Sequence, residues 1–168
     1  MQYMRFSVAQ REELLNSLFC MKAFLHESFA SLTREEALLP GPNGSFSPVE
    51  QVWHLADLEL DGFTFRIKTL ESEMDPELPD FDGDAVARER NYKSLSIADG
   101  LKAFEKARDT NIALLRALPA ESWTKSGTQH GVGAVSLCDM PIFIQQHDMA
   151  HRAEISAWIK LHGHHENI

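Results

Sequence analysis

Apolar side chains recur every three or four residues along four stretches of the chain, which is the spacing of one face of an α-helix. The first stretch covers residues 7–32. The second starts where Ser47, Pro48 and Glu50 provide an N-cap, a first-turn proline and a capping-box partner, and it runs to about residue 74. This pattern predicts two long helices in the first half of the chain.

Two further helical stretches follow in the second half. One begins at its predicted N-cap Ser96 and continues to Pro119. The other has Ser136 and Asp139 as alternative caps and ends at Gly163, a residue typical of helix C-termini. The four stretches together predict an all-α fold, a four-helix bundle, as a single domain over residues 1–168.

The segments between the predicted helices contain the residues that interrupt regular structure. Proline, glycine and acidic residues are concentrated in 38–48 (LLPGPNGSFSP), 75–84 (DPELPDFDGD) and 119–135 (PAESWTKSGTQHGVGAV). A short helical turn is expected within 84–94, and no strand-rich region is predicted. Because these connections are long, simple up-and-down connectivity does not follow from the pattern alone.

Composition narrows the classes of partner. A formal net charge of −9 argues against a nucleic-acid partner, because binding phosphates requires a basic surface. No apolar run approaches the roughly 18 residues that a membrane span needs, and the N-terminus lacks the apolar core of a signal peptide, so no membrane contact and a cytoplasmic location are expected. Cys20 and Cys138 have no CxxC partner, and we expect free, buried thiols.

The last predicted helix has two histidines in line with its core-facing residues. That stripe consists of Met140, Ile144, His147, His151, Ile155 and Trp158. Imidazoles four residues apart on a helix can converge on one point, as metal ligands do. The alternative is a pair of buried histidines that bond to each other or to water, since each neutral imidazole has one donor and one acceptor to satisfy. The pattern leaves both interpretations open.

A metal centre would need a third ligand from another helix, and His54 in the second helix is the best candidate. Apolar residues surround most of that helix, so periodicity does not fix the direction of His54, and an ordinary half-buried histidine is the alternative. The motif HDMAH differs from the HExxH of zinc peptidases by Asp148, which we interpret as an exposed residue or a partner of a ligand. His26 is expected at the surface, and the histidine-rich tail 162–168 is expected to be flexible.

Three segments together resemble the DinB-like superfamily, which includes the YfiT-type proteins. They are SFSPVEQVWHLADLE, the acidic loop after it, and HGVGAVSLCDMPIFIQQHDMAHRAEI, so the resemblance covers nearly the whole chain. It implies a four-helix bundle with long crossover loops, a homodimer, and a tri-histidine metal site with His54, His147 and His151 as ligands. The implied metal is divalent, with zinc or nickel expected first and iron or manganese as alternatives.

Such a ligand set predicts the type of chemistry. Three neutral imidazoles leave at least one coordination position open to water or to a thiolate. We therefore expect a metal-dependent enzyme that acts on a small molecule, as a thiol-dependent S-transferase or a hydrolase, with a low-molecular-weight thiol as a further cosubstrate in the first case. The alternative function is a non-enzymatic, stress-related protein that binds metal or a protein partner.

Several other side chains are candidates for this site. Asp57, three residues after His54, is the first candidate for a catalytic base, followed by Asp61 and Glu154. The substrate pocket is expected at the end of the bundle, between the loops 74–95 and 119–135. In the second of these loops, we expect Trp123 and His130 at the opening of the pocket.

Overall fold

All four predicted helical regions are present in the computed structural model, which describes residues 2–163. The helices are α1 (Gln2–Arg5), α2 (Val8–Ser17), α3 (Cys20–Phe29), α4 (Pro48–Asp57), α5 (Phe65–Ser72), α6 (Gly83–Glu89), α7 (Ile97–Ala117) and α8 (Met140–His162). A π-helical segment, Leu58–Thr64, joins α4 to α5. The predicted all-α bundle is therefore confirmed, and α3 and α4 both pack against α7 and α8.

The helix ends follow the capping residues in the sequence. The Ser47 backbone N–H and hydroxyl both donate to a Glu50 carboxylate oxygen, at 3.0 and 2.6 Å, so α4 begins where predicted. Gly163 ends α8 with φ 70°, a left-handed conformation that glycine adopts without strain. Of the two alternative caps of the last helix, Ser136 forms a capping box with Asp139 around the short 3₁₀ turn Leu137–Asp139. The regular helix then starts at Met140, and the Asp139 side chain does not cap it.

The predicted first helix is not continuous, and a buried arginine explains the break. Arg108 on α7 donates from Nη1 to the Leu18 carbonyl at 2.7 Å. The Lys22 amide bonds instead to the Phe19 carbonyl at 3.1 Å, a tighter three-residue step. A side chain inserted into the helical ladder is a recognised cause of a helix break, and here it separates α2 from α3.

The second predicted helix ends close to where the pattern indicated but changes its winding after Asp57. In the π-helical segment the Thr64 hydroxyl donates to the Glu59 carbonyl at 2.8 Å, and Asn111 Nδ2 donates to the same carbonyl at 2.9 Å. Side chains therefore satisfy a carbonyl that a regular helix would use. The result places the carboxylate of Glu59 inside the bundle, where it is 2% exposed.

A small three-stranded sheet was missed in the two long loops. Its strands are β1 (Glu77–Leu78), β2 (Ser126–Gln129) and β3 (Gly133–Ser136), with β2 parallel to β1 and antiparallel to β3. Gly127 permits this pairing, because a Cβ there would lie 2.5 Å from the Pro76 carbonyl oxygen. The sheet ties the acidic loop to the loop that precedes α8.

The apolar core has two clusters along the bundle. The first includes Leu15, Ile67, Leu115 and Ile144, and the second includes Leu25, Val52, Phe104 and Ile155. His147, Asp148 and His151 therefore lie on α8 between the two clusters, at the point where the packing of apolar side chains is interrupted.

Three smaller expectations concern the cysteines, the C-terminal tail and membrane spans. Cys138 is buried but Cys20 is exposed, and both are free, so the expectation of two buried thiols was wrong for Cys20. His162 belongs to α8 and its Nε2 lies 3.0 Å from the Pro40 carbonyl, whereas the rest of the expected flexible tail, 164–168, lies outside the described residues. Within residues 2–163, no helix is both long and apolar enough to cross a membrane.

Candidate metal centre

The structure brings the three predicted histidines together. His54 comes from α4, and His147 and His151 come from successive turns of α8; one nitrogen of each lies within 4.8 Å of the others. The Nε2 atoms of His147 and His151 are 3.0 Å apart. Two nitrogens about 2.1 Å from one metal ion, at a right or tetrahedral angle, lie about 3.0–3.4 Å apart, so this spacing fits two ligands of one ion.

The other nitrogen of His151 is held by two side chains. Its Nδ1 lies 2.6 Å from Gln51 Oε1 and 3.3 Å from Glu154 Oε2, and Gln51 Nε2 donates to the same Glu154 oxygen at 2.7 Å. A proton on Nδ1 leaves the lone pair on Nε2, which faces His147. Gln51 was missed in the sequence. The signal that could have found it is its position one turn before His54 on the same helix.

Burial controls the charge of this cluster. Loss of hydration and the neighbouring His151 lower the pKa of His54 to about 4, and the same two causes, with smaller contributions from His54 and Arg108, lower the pKa of His147 to about 3. Both imidazoles are therefore neutral at pH 7, as metal ligands must be. The hydrogen bond from His151, partly opposed by burial, lowers the pKa of Glu154 to about 2, so that carboxylate is ionised.

His54 has a nitrogen whose bonding is incomplete. Its Nδ1 is buried and has no hydrogen-bond partner among residues 2–163. The acidic loop comes unusually close to this imidazole, since a Cβ on Gly83 would lie 2.5 Å from His54 Cε1. A buried nitrogen without a partner is a destabilising feature that a bound ligand relieves.

Two cavities border the histidines. The first, which we name the acidic cavity, has a volume of about 620 Å³, and its wall includes His54, Asp80, Asp82, Asp84, His151 and Glu154. The second, which we name the apolar cavity, has a volume of about 410 Å³, and its wall includes Leu58, Phe63, Phe81, Val132, Phe143 and His147. His54, Asp80 and Phe81 line both cavities. The two loops predicted to form the pocket do contribute to it, and residues 44–46 are an addition that was not predicted.

The first candidate for the catalytic base is not oriented towards the histidines. Asp57 is buried, with one oxygen paired with Arg90 and the other accepting a hydrogen bond from the Tyr92 hydroxyl at 2.5 Å. Burial and Asp57 together raise the pKa of Tyr92, so its hydroxyl remains a donor. Asp57 lines neither cavity, and we correct its role to that of a structural anchor between α4 and the segment before α7.

Of the other predicted pocket residues, one lies at a histidine cavity and three do not. Glu154 lies beside His151 and lines the acidic cavity, whereas Asp61 is exposed and lines neither cavity. Trp123 stacks on Tyr3 with 4.3 Å between ring centroids, within the core, and His130 is exposed on the hairpin. Neither Trp123 nor His130 lines a histidine cavity, so their predicted place at the opening was wrong.

Asp148, in the middle of HDMAH, is buried rather than exposed. Its two oxygens accept hydrogen bonds from Nη1 and Nη2 of Arg108, both at 2.7 Å. The same guanidinium donates to Glu59 at 2.8 Å, and Asn111 Nδ2 donates to the second Glu59 oxygen at 2.7 Å. We name these four residues the Arg108 network. It clamps α8 against α7 immediately beside His147, which orients the histidine helix.

Comparison with known proteins agrees with the fold described above. The sequence model of the DinB superfamily matches residues 22–155. A structure described as YfiT from Bacillus subtilis, "a probable metal-dependent hydrolase with an unusual four-helix bundle topology", superposes with a TM-score of 0.85 at 20% identity, over 94% of this chain and 90% of that one.

A second solved structure, the mycothiol-dependent maleylpyruvate isomerase, is also similar. It superposes with a TM-score of 0.72 at 10% identity, over 92% of this chain but only 63% of the isomerase. At these identities the similarity establishes the fold. A comparison with curated proteins finds no match.

Proposed function

The chain belongs to the DinB superfamily, and we propose that it is a metal-dependent enzyme that adds water or a thiol to a small electrophilic molecule. The observation that carries this proposal is the convergence of His54, His147 and His151 at the wall between two cavities that open to solvent. A structural metal site would normally be closed by a fourth protein ligand. Among residues 2–163, the cluster of possible metal ligands at this centre consists of these three histidines and has no fourth member.

The three histidines would hold a divalent ion, with zinc or nickel favoured by an all-nitrogen ligand set that also tolerates sulfur. When bound, the ion supplies a Lewis acid that lowers the pKa of a water or thiol in its open position. The facing Nε2 atoms of His147 and His151, and the nitrogen of His54 that lies within 4.8 Å of the other ligand atoms, support this assignment.

Gln51 and Glu154 keep His151 in a single orientation. They surround its Nδ1–H, which leaves Nε2 as the electron-pair donor. Glu154 itself is a poor proton acceptor at neutral pH, because a catalytic base works best when its pKa is near the working pH and the pKa of Glu154 is about 2. We therefore propose a positioning role for Glu154, and the proton that the nucleophile loses passes to solvent through the acidic cavity.

Each of the two possible nucleophiles, water and a thiol, has support from one of the two similar structures. YfiT is described as a probable metal-dependent hydrolase, which corresponds to water, and the isomerase is described as mycothiol-dependent, which corresponds to a thiol. The apolar and acidic cavities meet at His54, so a nucleophile and an electrophile can approach the histidines from different sides.

The test begins with metal content and continues with turnover. Protein purified without an affinity tag is expected to contain, or to take up, one divalent ion per chain, and His151→Ala is expected to lose it. Turnover of an electrophile panel, with water alone and with low-molecular-weight thiols, is expected to stop on chelation and to return when the metal is restored.

His26→Ala serves as the matched control, since His26 is exposed and pairs with Glu105 and not with the three clustered histidines. Stoichiometric metal without any metal-dependent rate across the panel would contradict the enzymatic proposal and favour the non-enzymatic alternative. A chain that takes up no metal would contradict both.

A further inference from the structure

The apolar cavity contains a buried cation that is not paired with an acidic group. Arg66 on α5 is 6% exposed and lines the cavity. Among residues 2–163, no carboxylate lies within 4.0 Å of its guanidinium, and the ring of Phe63, at 5.8 Å, is its described contact. Burial lowers the pKa of Arg66 and the charge of Asp80 opposes this, but an arginine keeps its proton in proteins.

A second polar group in the same wall also lacks a partner. Gln129 is 7% exposed, and its side-chain oxygen Oε1 is buried without a hydrogen bond among the described residues. The short sheet places it there, because Gln129 is the last residue of β2 and pairs with Leu78 of β1 and Gly133 of β3. A surface loop would leave such an amide in water.

These two groups are unfavourable in the free protein. A charge held mostly out of water without a counter-ion and a buried amide oxygen without a partner both reduce the stability of the fold. Groups of this kind are retained where a ligand completes them. An anion would satisfy Arg66, and a hydroxyl or amide N–H would satisfy Gln129.

We propose that the apolar cavity is a binding site for a small organic acid, whose carboxylate binds Arg66 and whose apolar body packs against Leu58, Phe63 and Val132. A hydroxyl or N–H group on the same molecule would donate to Gln129. His147 lies in the same wall, so the acid is placed beside the histidines as the electrophilic substrate. This part of the inference rests on the proposed function, whereas binding of the acid does not.

The chemistry of arginine and the size of the cavity define the ligand class. A guanidinium forms two parallel hydrogen bonds with a planar carboxylate, which a neutral amide cannot reproduce. A cavity of about 410 Å³ falls within the range of small-molecule sites. We therefore expect monocarboxylates with a single ring or a short alkyl chain to be preferred over their amides.

Asp80 is the competing explanation for Arg66, because it is exposed and lines the cavity. If Asp80 were the natural counter-ion of Arg66, its removal would weaken the fold and would not weaken acid binding. If the counter-ion is a ligand, Asp80→Asn is expected to strengthen acid binding by removing a competing negative charge.

The test measures binding of benzoate, phenylacetate and hexanoate, each beside its amide, to the metal-free protein by calorimetry and by chemical-shift titration. At least one acid is expected to bind one site about tenfold or more tightly than its amide. Arg66→Met is expected to remove this preference, whereas Lys68→Met, an exposed cation on the same helix, is expected to keep it.

The proposal is overturned if no acid binds, if acids and amides bind alike, or if Arg66→Met retains the preference. Thermal unfolding provides a second readout, since Arg66→Met is expected to keep or raise the melting temperature, and a clear fall would assign Arg66 a structural role. Because the protein is metal-free in this experiment, failure of acid binding is distinct from failure of the metal-dependent activity.

Discussion

Two buried arginines lie near the histidine helix, and they have opposite environments. Arg108 donates four hydrogen bonds from its two terminal nitrogens, to Leu18, Glu59 and twice to Asp148. Only its Nε lacks a partner in the described chain, and the guanidinium packs over the Phe104 ring at 4.8 Å. Arg66 is almost as deeply buried but faces a cavity.

The difference separates structural from functional polar groups. Although burial lowers the pKa of Arg108, Glu59 and Asp148 outweigh it and raise that pKa above its ordinary value, as in a complete buried ion pair. A network whose charges are all paired holds helices in one arrangement, whereas an unpaired charge is kept where something else binds. Because Arg108 binds Asp148 of α8 and Arg66 lines a cavity with His147 of α8, substitutions at the two arginines can test the distinction directly.

The largest effect is expected from Arg108→Met. It would leave the carboxylates of Glu59 and Asp148 buried without a cation, which typically costs about 3–5 kcal/mol of unfolding free energy. For a chain of this size, the melting temperature should fall by roughly 6–20 °C. Urea unfolding measures the free energy, with Arg66→Met as the matched control. Equal losses in the two variants would remove the distinction between the two arginines.

A smaller effect is expected from acid on the metal-free protein. The pKa values of His54 and His147 are about 4 and 3 in the folded protein, against an ordinary value of 6.5. At pH values between the folded and the unfolded pKa of each histidine, the unfolded chain binds more protons than the folded chain. The free energy of unfolding therefore falls as the pH falls. From pH 7 to pH 5, we expect a loss of roughly 1–2 kcal/mol for each histidine.

Urea midpoints at the two pH values measure this loss. The double variant His54→Asn/His147→Asn should show a shallower dependence on pH, because it lacks both groups. An unchanged slope in that variant would show that other residues cause the acid sensitivity and that the cluster is not a buried, neutral one.

The two glutamates near the centre provide a third test. Glu59 lies in the Arg108 network. Glu154 lies beside His151, and its side chain is 49% exposed. Glu154→Gln should weaken metal binding by about 10–100-fold with little change in stability, because it removes the negative charge from one of the two acceptors at His151 Nδ1. Glu59→Gln should lower the stability clearly and change metal binding little. Metal titrations and melting curves on both variants measure these effects. If the two substitutions changed metal binding and stability to the same extent, the comparison would be contradicted.

The smallest effect is expected from Gly83→Ala. The added Cβ would lie 2.5 Å from His54 Cε1, so the imidazole or the acidic loop must shift by a small distance. We expect metal affinity to fall severalfold, while α6 gains less than about 1 kcal/mol from the better helix former, because Gly83 is the first residue of α6 and not an interior one. A metal titration tests the expected loss of affinity, and a melting curve of the same sample tests the expected gain in stability. Unchanged affinity would mean that the loop does not position His54.

Much of the fold and part of the site could be predicted from local sequence. The stripe that contains His147 and His151 follows from helical periodicity, and the start of α4 follows from Ser47 and Glu50. The wrong prediction for Asp57 concerns a residue whose partners are distant along the chain. Asp57 is three residues after His54, but its orientation depends on Arg90 and Tyr92, which lie 33 and 35 residues further along the chain.

The sequence by itself determined the four helical regions, their caps and the pair of histidines on α8, because each depends on contacts between residues a few positions apart. Only the tertiary structure decided the break at Leu18, the π-helical segment and the short sheet, since Arg108, Asn111 and Gly127 act across the bundle. It also decided which buried polar groups are complete and which face a cavity. Hydrogen-bond satisfaction is a property of the assembled fold, and no local pattern reports it.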